Sequence, residues 1–403
     1  MKRTYIILLI LLFTFLNIFS QTIHNNASLF APRTFQKLNE EFIQKKNYIM
    51  EFLSGVDTIL TMAPVSVMEK PLVPPSGDKH DYVSMGTYWW PDPSKPGGVP
   101  YIRKDGMVNP EIKTVTDYGF QKKMIYAVEK LIVAYGITKD EKYSRKAASL
   151  LRTWFLDEKT KMNPNLNFAQ FIKGVNTGRG TGIIDTDIYY KIFNVIGILE
   201  SSKAWTKEDD TKLRAWFREY LLWLTTSKNG LDEKNAHDNH GTWYDVQVVS
   251  IAIFLNKNEF AKEVLKEAIT KRFPSQIDED GEQFRETQRT KSWTYSAFNL
   301  RAYYILAKLA DNIGMNFWQY GTEWQYNPEE KPLLQTALDY ILPAAYNPKE
   351  WKKEQIVPIE PELLYPLLLI AESKYDSVTY SNWLKKIFGN NYQPDLMTKV
   401  GML

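Results

Sequence analysis

The chain has 403 residues and no cysteine. This absence excludes disulfide bonds, thiolate catalysis, cysteine-ligated metals and the acylated cysteine of a bacterial lipoprotein. Charges of the two signs nearly balance: the chain has 50 Lys and Arg and 47 Asp and Glu, which gives a formal net charge of +3. A chain so close to neutral argues against nucleic acid as the partner. Histidine is also scarce, with four residues in the whole chain.

Long apolar runs are absent except near the N-terminus. There Lys2 and Arg3 precede a largely apolar run from Tyr5 to Leu16, which is short for a membrane span, and a small residue, Ser20, precedes Gln21. This order predicts a secretory signal peptide over residues 1–20, whose removal lowers the net charge from +3 to +1. We therefore expect residues 21–403 to form a single-domain periplasmic or secreted protein without a membrane anchor.

Helical periodicity dominates the chain. An amphipathic helix is predicted from Pro32 to about Leu53, and almost no period-2 alternation indicates a sheet. We predict an all-α fold, an α/α toroid or incomplete barrel of antiparallel helix pairs. The other predicted helices are 118–135, 140–156, 185–200, 207–226, 241–256, 258–272, 291–313, 332–342, 360–374 and 379–388.

Residues 61–112 lack helical periodicity and are rich in proline, glycine and aromatic residues. Long irregular segments in compact domains are often functional. A lid or wall of a cleft is one interpretation, with Trp89, Trp90 and Tyr101 stacking on sugar rings. Aromatic side chains that merely pin the loop to the surface are the alternative.

Two of the four histidines, His237 and His240, lie within the polar stretch 234–244, directly before an apolar run. This arrangement predicts a helix N-terminus, where the helix dipole would keep an imidazole neutral and able to act as a base. A capped helix start with a structural histidine is the alternative. The His-x-x-His spacing also allows a divalent metal site with Asp232, Asp238 or Asp245.

Residues 278–301 form a second polar stretch, in which Tyr295 lies on the inward stripe of a predicted helix. A tyrosine at such a position is usually a core residue. Arg289 precedes it by six residues and would face the same site only from the loop leading into the helix. Arg285 is the competing candidate for binding an anion.

These stretches together resemble the alginate lyase superfamily, whose all-helical members in polysaccharide lyase families 5 and 38 carry an Asn-His pair and a later Arg and Tyr. The segments Tyr88-Trp-Trp-Pro-Asp-Pro93, Met162 to Gln170 and Gly178 to Asp185 resemble others of that superfamily, so the likeness covers about residues 80–310. The Arg–Tyr spacing is six here and seven in family 5, which favours family 38. The resemblance implies an α/α toroid and no cofactor or metal.

The resemblance also implies β-elimination of a 1,4-linked polyuronate, alginate first. Asn239 and Arg289 would neutralise the substrate carboxylate, so that the charge developing after C5 deprotonation is tolerated. Tyr295 or His240 would remove the C5 proton, and Tyr295 would protonate the departing O4. The expected substrate-binding residues are Tyr88, Trp89, Trp90, Tyr101, Arg103, Asn167, Gln170, Arg179, His237, Trp243 and Arg285.

Three other functions remain open from the sequence. A glucuronan-type lyase would use the same residues. A glycoside hydrolase on the same fold would need two facing carboxylates, for which Asp185 with Asp187 and Glu282 with Glu286 are available. A non-catalytic glycan-binding protein would explain the aromatic residues but would not require the Asn-His pair, the arginine and the tyrosine together.

Overall fold

The structure is a computed structural model that describes residues 27–29, 46–320, 331–390, 392 and 396–399. No helix in this described part of the chain is both long enough and apolar enough to cross a membrane. The predicted signal peptide and residues 32–45 of the first predicted helix lie outside the described residues.

Helices account for most of the described chain, as predicted. The α-helices are α1 Lys46–Leu60, α2 Asp117–Thr138, α3 Glu141–Leu151, α4 Tyr190–Leu199, α5 Lys207–Thr226, α6 Lys228–Lys234, α7 Asn239–Phe254, α8 Asn258–Glu267, α9 Phe273–Gln276, α10 Phe284–Thr287, α11 Ser292–Asn312, α12 Leu333–Tyr346, α13 Tyr365–Lys374, α14 Ser377–Phe388 and α15 Leu396–Lys399. The 3-10 helices are Val67–Glu69, Pro96–Gly98, Pro110–Thr114, Gly180–Tyr189, Pro348–Glu350 and Pro361–Leu364.

Helix α7 lies at the centre of the core and contacts α4, α5, α6, α8 and α11. Every residue of α7 is buried except His240, in its first turn. A helix that is buried on nearly every side has to be surrounded by other elements. His240 therefore marks the end at which a ligand could reach this central helix.

Only two short strand pairs occur in the described chain, in agreement with the prediction that a sizeable sheet is absent. Strand β1 (Val83–Met85) runs parallel to β4 (Phe168–Phe171), and β2 (Trp89–Trp90) runs antiparallel to β3 (Ile102–Arg103). Three of these strands belong to the irregular segment 61–112, which is consequently a folded layer and not a free loop.

A buried ion pair fixes this layer to the helical core. Lys70 Nζ lies 3.0 Å from a carboxylate oxygen of Asp117, at the start of α2, and both side chains are fully buried. The same ammonium donates to the carbonyls of Val67 and Lys79, so all three of its N–H donors have partners.

Some helix boundaries differ from the prediction because the chain changes from an α-helix to a π-helical turn or from a 3-10 helix to an α-helix. The predicted helices 140–156 and 258–272 each end in a π-helical turn, Arg152–Leu156 and Ala268–Arg272. The predicted helix 185–200 begins as a 3-10 helix at Gly180 and becomes α4 only at Tyr190. The short helices α6, α9, α10 and α15 were not predicted, because four to seven residues are too few to show a period.

Candidate active site

The first turn of α7 carries Asn239 and His240. Asp238 caps this turn, because its carboxylate accepts from the His240 backbone N–H at 3.1 Å. The helix thus begins two residues earlier than predicted. The cap places both candidate catalytic side chains at the open end of the central helix.

Gly241 follows this pair because a larger residue does not fit. A Cβ at this position would lie 2.0 Å from Nη1 of Arg272. That guanidinium donates to the carbonyls of Ala236 and Lys234 and forms an ion pair with Asp245. Arg272 therefore joins the end of α6 to the start of α7.

Two fully buried acids hold the Asn-His pair from inside the protein. Glu286, in α10, accepts from the Asn239 backbone N–H at 2.6 Å and from its side-chain amide at 2.9 Å. Glu233, in α6, lies 2.7 Å from Nδ1 of His240. Both carboxylates are almost completely removed from solvent, whereas the imidazole retains 21% exposure.

The expectation of a neutral imidazole is wrong. Burial opposes the charged form of His240, but the adjacent carboxylate of Glu233 outweighs it and raises the pKa of His240 to about 9. The charge and hydrogen bond of a carboxylate in contact exceed the effect of the partial charge at a helix N-terminus. His240 is therefore a cation at neutral pH in the ligand-free protein.

Arg289 lies on the loop between α10 and α11, the position that the spacing to Tyr295 required. Its guanidinium forms two hydrogen bonds to Asp105, of 2.8 and 3.1 Å, which attach the segment 61–112 to this loop. Burial alone would raise the pKa of Asp105, but Arg289 holds it well below its usual range. Arg285 is exposed and its guanidinium contacts the Phe284 ring.

Tyr295 lies in the first turn of α11, and its ring faces the guanidinium of Arg289, whose central carbon is 3.9 Å from the ring centre. Its hydroxyl donates to the hydroxyl of Tyr88 at 2.6 Å. Burial and Tyr88 raise the pKa of Tyr295 well above its usual value, and the charge of Arg289 only partly offsets them. The charge of Arg289 thus favours the phenolate but does not outweigh burial, and Tyr295 is a phenol in the ligand-free protein.

Tyr88 is thus brought directly to the candidate catalytic group. The neighbouring strands β2 and β3 place Trp89 beside Arg103 and Trp90 beside Ile102. The indole N–H of Trp90 donates to the Met107 carbonyl, and both tryptophan rings keep part of their surface exposed. Arg103 is exposed and also bonds Asp105.

Gln170 and Arg179 form one network beside this layer. The Arg179 guanidinium bonds both the side-chain and backbone carbonyls of Gln170 and lies 5.7 Å from the centre of the Trp89 ring. Gln170 has a left-handed backbone (φ 48°), and its amide donates to buried Asp185, which also accepts from Ser84. Strained backbone at a non-glycine residue persists only where its surroundings hold it, as this network does.

A family model described as alginate lyase matches residues 66–351. The chain belongs to the alginate lyase family. This confirms the resemblance seen in the sequence and identifies the protein as a polysaccharide lyase.

Solved structures agree with this assignment. An alginate lyase from Bacteroides ovatus has a TM-score of 0.86 and 33% sequence identity, with 93% of this chain and 99% of that chain covered. A histidine-to-alanine variant of alginate lyase A1-III, complexed with a tetrasaccharide, has a TM-score of 0.56 and 14% identity over 95% and 96% of the two chains. Alginate lyase A1-III from Sphingomonas species A1 has a TM-score of 0.50 and 16% identity over 88% and 90%. These structures confirm the predicted all-α toroid. A comparison with proteins of curated function gives no match.

Two residues predicted to bind substrate are instead core residues of this lyase. Trp243 has no exposed surface and packs between Tyr190 and Phe298, with Arg301 over its ring. Tyr101 is 7% exposed, and its hydroxyl donates to Glu111 within the irregular layer. Neither ring is open to a sugar, so both predictions are wrong.

Two further predicted residues lie at the surface. Asn167 is exposed and accepts from the indole N–H of Trp223. His237 is also exposed, three residues from His240, whose Nδ1 faces Glu233. In the described part of the lyase, no three His, Asp or Glu side chains are grouped as metal ligands.

Sequence reasoning missed the residues that hold the candidate catalytic groups. Glu233 and Asp105 were not singled out, and Glu286 was considered only as a hydrolase acid. These three are among 47 Asp and Glu residues, and no spacing distinguishes them. The one available signal was the position of Asp105 in the irregular segment already expected to be functional.

Proposed function

We propose that this lyase cleaves alginate by β-elimination and leaves a 4,5-unsaturated uronate at the new chain end. The observation that carries the proposal is the contact of Arg289 with Tyr295, together with the electrostatic interaction of Arg289 with Glu286, the acid that holds Asn239. Amide, guanidinium, imidazole and phenol are the groups that this elimination requires. The Bacteroides ovatus and A1-III neighbours, both alginate lyases, support alginate as the substrate.

In this proposal Asn239 and Arg289 bind the carboxylate attached to C5. Neutralising that carboxylate makes the C5 proton more acidic, and the dianion formed on its removal is stabilised by the same donors. The electron pair left by the proton forms the C4–C5 double bond, and the bond from C4 to O4 breaks. The departing O4 takes a proton from Tyr295, which is a phenol in the ligand-free lyase.

The stereochemistry of the substrate decides which group removes the C5 proton. In syn elimination, proposed for mannuronate, the proton and O4 leave from one face. Tyr295 then has to enter the step as the phenolate, which the charge of Arg289 favours, take the C5 proton and return it to O4. In anti elimination, proposed for guluronate, they leave from opposite faces, and the neutral form of His240 is the base while Tyr295 is the acid. Since the pKa of His240 is about 9, this second route accelerates as pH rises towards that value.

We also propose that residues 1–20 direct export and that residues 21–403 act as one domain in the periplasm or outside the cell. The support is the order of basic residues, apolar run and small residue in the sequence. The expected N-terminus of the native protein is Gln21, which N-terminal sequencing after cell fractionation would establish.

The function is tested by mixing the mature protein with alginate, polyglucuronate and a neutral glycan while following ultraviolet absorbance. Absorbance from the new conjugated double bond should rise with alginate and remain flat with the neutral glycan. A rise with polyglucuronate alone would identify a glucuronan lyase. New reducing ends without absorbance would identify a hydrolase and contradict the proposal.

A further inference from the structure

We propose that Glu286 is a positioning residue for elimination: its buried carboxylate sets the orientation of the Asn239 amide that receives the substrate carboxylate. The inference rests on the proposed function, because it assigns a role to a residue in that same site. Glu286 is not expected to touch the substrate and acts through Asn239.

The hydrogen-bond geometry determines which end of the Asn239 amide faces Glu286. One carboxylate oxygen accepts the Asn239 backbone N–H at 2.6 Å, and the other accepts Nδ2 at 2.9 Å. An ionised carboxylate only accepts hydrogen bonds, so the amide nitrogen and not the amide oxygen must face it. Asn239 is 2% exposed, and in the proposal the second N–H of Nδ2 is the one that donates to the substrate carboxylate.

Only a carboxylate at position 286 can accept both hydrogen bonds from Asn239; a neutral glutamine cannot. Glutamine at position 286 has one acceptor oxygen and one donor nitrogen, so it can satisfy only one of the two N–H groups. The other N–H would face a donor, in a place with no access to solvent, since Glu286 is fully buried. The amide of Asn239 would rotate or shift to avoid that contact.

The surroundings of Glu286 carry charges of both signs. Burial and nearby Asp238 raise the pKa of Glu286 to about 7, although Asn239 and Arg289 lower it. His240 on α7 and buried Tyr303 on α11 also lie within electrostatic range. Because both Asn239 bonds need the ionised form, kcat/KM should fall as pH drops below about 7.

The test is a double-mutant cycle on alginate with Glu286→Gln and Asn239→Ala. Glu286→Gln should lower kcat/KM about 10²-fold, as misplacement of a catalytic group does. Asn239→Ala should lower it by about 10²–10³-fold, the usual cost of losing an oxyanion donor. If Glu286 acts through Asn239, the double variant should be no worse than Asn239→Ala alone. Multiplicative losses would overturn the inference.

Two further variants separate positioning from general stability. Glu282→Gln removes a carboxylate four residues away that bonds Thr287 and Tyr340, and it should change kcat/KM by no more than about twofold. On mannuronate-rich alginate, where His240 is not the proposed base, Glu286→Asp keeps a carboxylate and should keep the loss of activity below neutral pH, which Glu286→Gln should lack. The inference would also be overturned if the folded Asp variant, the folded Gln variant and the wild type had identical pH profiles. If the Gln variant fails to fold, a folded Asp variant that keeps full activity below neutral pH would overturn it instead.

The experiments distinguish a failure of the proposed role of Glu286 from a failure of the proposed lyase function. A wild-type protein that gives no absorbance with any polyuronate contradicts the proposed function. An active wild-type protein with multiplicative losses in the cycle contradicts only the role of Glu286.

Discussion

The two halves of the candidate active site are built in different ways. Asn239 and His240 belong to the central helix, and their partners Glu286 and Glu233 are fully buried acids on neighbouring helices. Arg289 and Tyr295 are instead held by Asp105 and Tyr88, partly exposed residues of the segment 61–112. The first half is formed by the core itself. The second is complete only while the irregular layer is docked.

The halves also differ in charge. The helix half contains a histidine that an acid keeps protonated, whereas the loop half contains a tyrosine that burial keeps neutral. Under the proposed mechanism, the helix half should therefore dominate pH dependence, and the loop half should dominate substrate capture and proton return to O4. Four changes test this division.

The largest effect is expected from Tyr295→Phe, which removes the proposed acid without changing the ring. Activity on mannuronate-rich and guluronate-rich alginate should fall by at least about 10²–10⁴-fold, the usual contribution of a general acid–base group. Tyr88→Phe is the matched control: it removes only the hydroxyl that accepts from Tyr295 and should cost less than about tenfold. A folded Tyr295→Phe protein with near wild-type kcat on either substrate would refute the mechanism.

Glu233→Gln should separate the two proton routes by pH. Without that carboxylate the pKa of His240 is lower, because burial still opposes the charged form, although Asp238 and Glu286 still raise the pKa. The rise of kcat/KM with pH on guluronate-rich alginate should therefore move to lower pH. The pH profile on mannuronate-rich alginate, where Tyr295 serves both roles, should stay in place. Equal shifts on both substrates would contradict the assignment of His240 to one route.

Asp105→Asn should weaken docking of the irregular layer and leave the helix half intact. Loss of a charge-assisted pair with Arg289 should raise KM on alginate by about tenfold. Asp92→Asn is the control, because that carboxylate bonds Ser94 within the same segment. If kinetics of the two variants are indistinguishable, the Asp105–Arg289 contact does not hold the layer.

The smallest effect is expected from Trp90→Ala. Trp90 is partly exposed on β2, and loss of its ring should raise KM by about three- to tenfold while kcat changes less. Trp383→Ala, in the C-terminal helix α14, supplies a comparison with a tryptophan outside the site. A fall in kcat with unchanged KM would assign Trp90 to the chemistry and not to binding.

Local sequence signals predicted the parts of the fold that local contacts determine. Helix α5 matches its predicted range at both ends, because Thr206 and Asp209 form a capping box and Ser227 ends the helix. The loop position of Arg289 followed from helical geometry alone. Long-range contacts gave no such signal: Asp105 and Arg289 are 184 residues apart, and either could have paired elsewhere. Trp243 was misassigned because Phe298 and Arg301 of another helix cover it.

The separation of partners along the chain has a consequence for how the active site comes into being during synthesis. His240 finds Glu233 seven residues away, and Asn239 finds Glu286 forty-seven residues away, so the helix half needs only one stretch of nascent chain. Tyr88 is synthesised 207 residues before Tyr295. Since closing so long a loop costs more entropy than closing a short one, we expect the irregular layer to dock last. A chain stalled before residue 289 would contain His240 and both buried acids but would lack Arg289 and Tyr295.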